Sequence, residues 1–369
     1  MNLVKTFVKL YYKKKFNFIL NLNDLNLNKD STSLIIANHP SLSDGIYAAL
    51  FAEKIPAFVI EEISLVDKFT KFLLDNTKDY LIKRTKMDVN LVKRIEEKIK
   101  NNNVLIFPEQ ESSFFGKNNN ELNHSISKLV KHLNKDVFIL KINGAYLAKP
   151  RWTKENAKKA KVELNYIKLF NGTELKDLSE TEIYNKLKEN LKYNDFTWND
   201  NKSYYYQSKK RAEGLENYIY VCPKCLKNQT LYTKQNDIYC ETCGYITSFD
   251  EYSKLIGLNF NNLVEWDNLQ KNQLPNIIKN VIYTEGQMSM VELKTYETFN
   301  LGHFDCEIYN EKLFVQNKMQ EYVFEIKKIQ NLKFKNKNDI YLEYSNKTYL
   351  FKLKDPMIFY DLINYLRRI

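Results

Sequence analysis

SLIIANHPSLSDG (Ser33–Gly45) runs from four apolar residues into a loop of Asn, His, Pro and Ser, and then into SDGIYAALFA, a helix candidate. Short, β-branched and bounded by turn formers, SLIIAN (33–38) reads as a strand. His39 is one of only four histidines in the chain, and it stands at the strand's end with Asp44 five residues on. If the chain turns at Pro40, the carboxylate can return to one ring nitrogen, fix the tautomer and stabilise the imidazolium. The other nitrogen is then left to take a proton from a hydroxyl. The same spacing also suits an Asx or helix-capping network in which His39 bonds only to backbone.

Outward from this loop, strand-like runs alternate with helical ones. AFVIEE (57–62), YLIKR (80–84), NVLIFPE (103–109), DVFILKING (136–144) and KVELNYIKLF (161–170) are short and β-branched or aromatic. Between them LVDKFTKFLLDN (65–76) and DVNLVKRIEEKIKNN (88–102) have helical spacing. In the second, Asp88 is placed as N-cap and Leu91, Val92, Ile95 and Ile99 form the apolar stripe. This alternation predicts an α/β layer with a mixed, largely parallel sheet and flanking helices, its functional residues in loops at strand ends.

The 369 residues are 44% hydrophobic and 14% aromatic, which is the composition of a globular protein with room for two or three domains. A formal charge of +11 implies attraction to an anionic partner, nucleic acid or lipid surface. No stretch approaches the ~20 apolar residues of a membrane span, and MNLVKTFVKLYYKKKFNFIL lacks the apolar core and cleavage site of a signal peptide. A cytoplasmic protein with reduced cysteines is expected. In that first stretch Val4, Phe7, Val8 and Tyr11 share one helical face while Lys5, Lys9 and Lys13 share another. Two readings stand: a helix lying in a membrane interface with lysines at anionic headgroups, or an amphipathic helix packed on its own domain.

Further along, Cys222-x-x-Cys225 and Cys240-x-x-Cys243 form two knuckles 14 residues apart. Four thiolates so placed can hold one tetrahedral structural Zn²⁺, and the strand-like residues between them suit a zinc ribbon. A redox pair or coincidence is the other reading. Cys306 lies outside and reads as a small core residue. Between 174 and 214 the chain is polar, charged and helical in pattern, and a linker follows the ribbon. From 290 to 353 come short alternating strands, closed by the amphipathic DPMIFYDLINYLRRI. The boundaries drawn are 1–215, 216–250 for the ribbon and 265–369 for a β-rich domain with a C-terminal helix.

His39-x-x-x-x-Asp44 after a short strand resembles the first motif of the glycerolipid acyltransferases, the 1-acyl-glycerol-3-phosphate acyltransferase family. YLIKR, ending in Arg84, resembles the second motif. FPEQESS (107–113) lines up with the third, Phe-Pro-Glu-Gly-Thr-Arg-Ser, and VFILKINGAYLAKPRW (137–152) with the strand and loop that follow it in some bacterial members. The resemblance, covering roughly residues 30–155, implies acyl transfer without an acyl-enzyme. His39 would be the general base and Asp44 its orienting partner, while Glu109 and Asn38 would hold the acceptor or organise the pocket. Arg84, with Lys83, would meet a phosphate. It further implies a lysophospholipid-type acceptor and a donor that is acyl-CoA, acyl-carrier protein or an acyl phosphate. The site of action would be peripheral, on the inner face of the cell membrane. The third motif departs from the pattern: Gln110, Glu111 and Ser112 replace Gly, Thr and the phosphate-binding Arg, which counts against lysophosphatidic acid itself. The C-terminal strands resemble a pleckstrin-homology-like barrel. Two other readings follow from the same residues: a lipid-binding member of the fold without turnover, and a zinc-ribbon protein that binds nucleic acid. The intact His39/Asp44 pair and the four ordered blocks favour catalysis, and no nucleic-acid partner is expected.

Overall fold

The computed structural model describes residues 3–22, 32–77, 79–84, 87–109, 111–119 and 122–369. They form two compact units, one of residues 1–150 and 156–206, the other of residues 151–155 and 207–369.

In the first unit the chain runs α1 (Leu3–Lys15), β1 (Phe16–Asn21), β2 (Leu34–Ala37), α2 (Asp44–Phe51), β3 (Ala57–Glu61), α3 (Lys68–Thr77) and β4 (Tyr80–Lys83). It continues through α4 (Val89–Ile99), β5 (Val104–Ile106), α5 (Ser125–Leu133), β6 (Val137–Asn143), α6 (Ala145–Ala148), β7 (Ala160–Phe170), α7 (Glu180–Leu191) and α8 (Asp195–Asp200). The seven strands make one sheet in the order β1-β7-β6-β2-β5-β3-β4. Every pairing is parallel except β6 with β7, so the expected mixed, largely parallel sheet is present. β2 and β5 are buried at every position, which is why both read as continuous apolar runs. Alternate residues of β2, β5 and β6 (Leu34, Ile36, Val104, Ile106, Val137 and Ile139) join one core with Leu91, Ile95 and Ile99 of α4. That helix begins where the Asp88 carboxylate accepts the Leu91 amide at 2.7 Å.

β1 has no counterpart in the sequence reading, which named helical faces from Val4 to Lys13 and no strand after them. The helix ends at Lys15, and Phe16–Asn21 pairs in parallel with β7 at the sheet edge. Aromatic and β-branched residues there fit a strand once a neighbour is present.

The second unit contains a three-stranded antiparallel ribbon of β8 (Leu231–Lys234), β9 (Asp237–Cys240) and β10 (Gly244–Ser248). After α9 (Leu263–Asn272) and α10 (Leu274–Ile277) come β11 (Ile282–Glu292), β12 (Glu297–Tyr309), β13 (Lys312–Gln316), β14 (Glu321–Glu325), β15 (Leu332–Lys335), β16 (Asp339–Tyr344), β17 (Lys347–Leu353) and α11 (Pro356–Leu366). These strands form one antiparallel sheet in the order β14-β13-β12-β11-β17-β16-β15, so the first strand of the run pairs with the last. Ahead of residue 290, where the sequence reading began its strand run, stand two helices and the first half of β11. Trp266 of α9 is wholly buried and its indole donates to the Val221 carbonyl at 2.9 Å, one residue before the first knuckle. Arg151 is buried as well, its guanidinium donating to the Phe334 and Asn336 carbonyls at 2.7 and 2.8 Å. Cys306 is a buried core residue.

Candidate active site

Strand register assembles the site. Ile36 of β2 lies opposite Ile106 of β5, and three residues beyond each stand His39 and Glu109. Parallel strands carry equal offsets to the same level, and the His39 amide donates to Glu109 Oε1 at 3.0 Å. The His39 carbonyl accepts the Ser113 amide at 2.8 Å. Both main-chain groups of His39 are therefore held by third-motif residues. On the other side β6 lies beside β2, with Ala37 opposite Leu140. There the Asn38 side chain takes both ends of one residue, accepting from Ile142 N at 2.7 Å and donating to Ile142 O at 2.8 Å. The Phe107 ring lies 4.6 Å from the imidazole, centroid to centroid.

With the backbone fixed, the ring is oriented by Asp44, the first residue of α2. Its Oδ2 accepts from His39 Nδ1 at 2.9 Å and from the Ser41 amide at 2.7 Å. The carboxylate is fully buried while the imidazole keeps about a fifth of its surface exposed. Burial pushes the Asp44 pKa well up; the Ser41 amide opposes the rise, and Asp195 and Glu109 add to it. With Nδ1 donating to Asp44, Nε2 is the nitrogen with a lone pair for an incoming proton. Two of the other histidines are engaged elsewhere: His132 pairs with Glu96 at 2.8 Å, and His124 stacks on Tyr184.

Behind this pair lies a set of charges with no sequence motif. Burial raises the Glu109 pKa to about 7, against the His39 amide, Asn118, the Asn119 amide and Lys141. Burial likewise brings Asp195 up to about 7 and Lys141 down to about 8. Lys141, on β6, donates to the Asn190 carbonyl at 2.8 Å and to the Lys192 carbonyl, at the C-terminal end of α7, where the helix dipole favours a cation. Gly144, at φ +75°, lets the chain turn from β6 into α6; a Cβ there would stand 2.6 Å from the Lys161 carbonyl. The turn presents the Tyr146 amide to Asp195 Oδ2 at 3.0 Å. The following segment grips the loop after the third motif, with Tyr193 N donating to Asn118 Oδ1 at 3.0 Å and Asp195 N to Gly116 O at 2.8 Å. Glu111 and Ser112 are buried in that loop, their carbonyls capped by Asn119; Gln110 lies outside the described residues. Lys141, Tyr193 and Asp195 were missed because a lone Lys in a strand and an Asp in a polar helical region carry no pattern.

Lys83 and Arg84 stand where β4 ends, Lys83 opposite Glu61 of β3. β2 and β4 are three strand spacings apart, about 14 Å at ~4.8 Å each. The Arg84 side chain is largely exposed, its Nε 3.7 Å from Glu62 Oε2. The structure thus brings Asn38, His39, Asp44 and Glu109 together and sets the two basic residues further along the same edge.

Three lysines of α1 lie against the domain. Lys5 donates to the Ala52 carbonyl, and the Lys9 and Lys13 ammonium groups lie 5.5 and 5.8 Å from the centre of the Phe51 ring. Phe7, Leu10 and Tyr11 face solvent, Phe7 with 72% of its surface exposed, and Val8 is half-buried. Among the described residues no helix is long and apolar enough to cross a membrane.

In the second unit the thiol sulfurs of Cys222, Cys225, Cys240 and Cys243 all lie within 4.8 Å of one another, with Cys225 and Cys240 3.9 Å apart. Tetrahedral zinc with ~2.3 Å Zn–S bonds needs sulfurs about 3.8 Å apart, so the four can hold such an ion.

Residues 21–139 match the family model Acyltransferase. Among solved structures, the 1-acyl-sn-glycerophosphate (LPA) acyltransferase PlsC from Thermotoga maritima is similar at 20% identity and a TM-score of 0.42, over 55% of this chain and 82% of that one. No curated protein matches the chain. The matched segment holds the first three motifs and lies within the first unit.

Proposed function

We propose that this acyltransferase moves a fatty acyl chain from an activated donor, such as acyl-CoA, acyl-carrier protein or acyl phosphate, to the hydroxyl of a lysophospholipid-type acceptor. The observation that carries the reading is the His39 Nδ1–Asp44 Oδ2 contact of 2.9 Å at the end of a central strand. His39 Nε2 takes the acceptor proton as the oxygen attacks the acyl carbonyl, and Asp44 stabilises the imidazolium that results. The imidazolium then returns the proton to the leaving group. Glu109 and Asn38 hold the His39 loop in place. Arg84, with Lys83, meets anionic headgroup atoms. Because those cations stand about 14 Å along the edge from β2, and Glu111 brings a further acid to the third motif, the acceptor is one whose phosphate is not a monoester beside the reacting hydroxyl.

The enzyme works at an anionic membrane surface on the cytoplasmic side, with the Phe7/Leu10/Tyr11 face of α1 entering the interface. The four cysteines bind one structural zinc. Incubation of the pure protein with acyl-CoA and lysolipids differing only in headgroup, read by mass spectrometry, tests the reading. An acylated lysophospholipid is expected; its absence from every acceptor, or full activity in His39→Ala, sinks it.

A further inference from the structure

Helix α1 lies along α2, the helix that Asp44 opens. At one end Lys5 donates to the carbonyl of Ala52, just past the last residue of α2. At the other, Tyr12 is buried against the first turn. Its ring meets Tyr47 edge-on, with centroids 5.6 Å apart and planes at 79°, and its hydroxyl stands 3.4 Å from Ser43 Oγ. Ser43 is the N-cap residue of α2, where a serine ordinarily accepts an amide of the first turn. Here its side chain makes no capping bond, and it faces the Tyr12 hydroxyl instead. Tyr47 is wholly buried and follows Asp44 by three residues, on the same side of the helix. Two more rings from the N-terminal stretch close on it, Phe16 at 5.9 Å and Phe18 at 5.3 Å.

The two members of the pair are held differently. His39 has its main chain fixed by Glu109 and Ser113 of the third motif. On the Asp44 side the turn bonds to itself: Ser43 N to Ser41 Oγ at 3.3 Å, Asp44 N to Ser41 O at 3.3 Å and Tyr47 N to Ser43 O at 3.0 Å. Tyr12, Phe16 and Phe18 reach this turn and the ring behind it from α1 and β1. The contact that matters, Asp44 Oδ2 to His39 Nδ1, is 2.9 Å, and a drift of about 0.7 Å would take it out of hydrogen-bond range. We propose that Tyr12 is a positioning residue: with its ring on Tyr47 and its hydroxyl at Ser43 it fixes the first turn of α2, and so keeps the Asp44 carboxylate on His39 Nδ1. The consequence for turnover rests on the acyl-transfer reading of the His39 site; the geometric claim stands apart from it.

The test compares wild type, Tyr12→Ala and Tyr12→Phe in the full chain. One arm needs no activity: ring ¹⁵N NMR of the histidines at about pH 9, where imidazoles are neutral. Wild-type His39 should carry its proton on Nδ1, the nitrogen that Asp44 holds. Tyr12→Ala should turn this into a mixture with the Nε2-protonated ring, while His132, paired with Glu96, stays unchanged. Tyr12→Phe keeps the ring on Tyr47 and should keep His39 on Nδ1. The second arm is turnover with acyl-CoA and a lysophospholipid. Tyr12→Ala should lower kcat about tenfold, with KM for both substrates within about twofold, because misplacement of a catalytic group slows the chemical step; Tyr12→Phe should recover most of the loss. In an Asp44→Asn background Tyr12→Ala should change kcat by less than about twofold, since a residue that acts through the carboxylate has nothing left to hold. If Tyr12→Ala does not fold, Tyr12→Leu, which fills the space without an aromatic edge, takes its place in both arms. An unaltered His39 spectrum in the folded variant, or an equal loss of kcat with and without Asp44, overturns the proposal. If the wild type transfers no acyl group at all, the functional reading fails, and the His39 spectrum alone decides the role of Tyr12.

Discussion

Asp44→Asn separates the chemistry of the site from its architecture. Asp44 Oδ2 accepts two hydrogen bonds, from His39 Nδ1 and the Ser41 amide, and an asparagine carbonyl can occupy the same place and accept both. The NH₂ falls where Oδ1 stands, a buried position without a partner among the described residues. Geometry is retained, and what is lost is the negative charge beside the imidazolium. With the charges about 4 Å apart and an effective dielectric of about 20, that attraction is about 4 kcal/mol, or roughly 10²- to 10³-fold in turnover. Stability should move the other way. Burial raises the Asp44 pKa, and an acid with a raised folded pKa costs stability as pH climbs from its unfolded value towards the folded one. The uncharged variant escapes that cost, so at pH 8 it should melt no lower than wild type, with its relative advantage growing from pH 5 upward. Steady-state kinetics with acyl-CoA and a lysophospholipid, paired with thermal unfolding at several pH values, measures both. Turnover above a tenth of wild type in a folded Asp44→Asn protein would refute the role of the carboxylate. A collapse of the melting temperature would refute the claim that geometry survives.

His39→Ala should lower turnover by roughly 10²- to 10⁴-fold and leave circular dichroism unchanged, since the ring sits in a partly exposed loop. Asn38→Ala removes both hydrogen bonds to Ile142 from a buried site and should cost about 2–4 kcal/mol in denaturant unfolding; a loss below 1 kcal/mol would show that water replaces the amide. Purified protein should contain about one zinc per chain, and chelation should raise hydrogen exchange through residues 218–250 and into α9, where Trp266 holds Val221. A disulfide within either cysteine pair, with no metal, would contradict this. Phe7→Asp with Tyr11→Asp should weaken binding to anionic vesicles at least tenfold, since each buried aromatic contributes about 1.5–3 kcal/mol; unchanged co-sedimentation would return α1 to a merely packed helix.

Whatever obeys a short period was legible in the sequence. The parallel strands announced themselves as apolar runs because both of their faces are covered, and α4 by its stripe and the Asp88 cap. The two cysteine knuckles were equally plain, because each cysteine pair lies within four residues. His39 and Asp44 were legible for the same reason: a five-residue separation across a turn is a local fact. Contacts across strands are not local. That Glu109 meets the His39 amide, and that Asn38 staples Ile142, depends on which strand lies beside β2 and in what register, and no pattern within either segment encodes it. β1 became a strand only because β7 offered it a ladder, and Trp266, ahead of the strand run, went unmarked because burial of an isolated aromatic is decided by what packs over it. Most of all, a tyrosine and an aspartate in a polar stretch outside the motifs came to stand behind the histidine. Side-chain chemistry follows composition, but the company a side chain keeps is decided by the tertiary fold, where desolvation and proximity turn an ordinary Tyr193, Lys141 or Asp195 into part of a site.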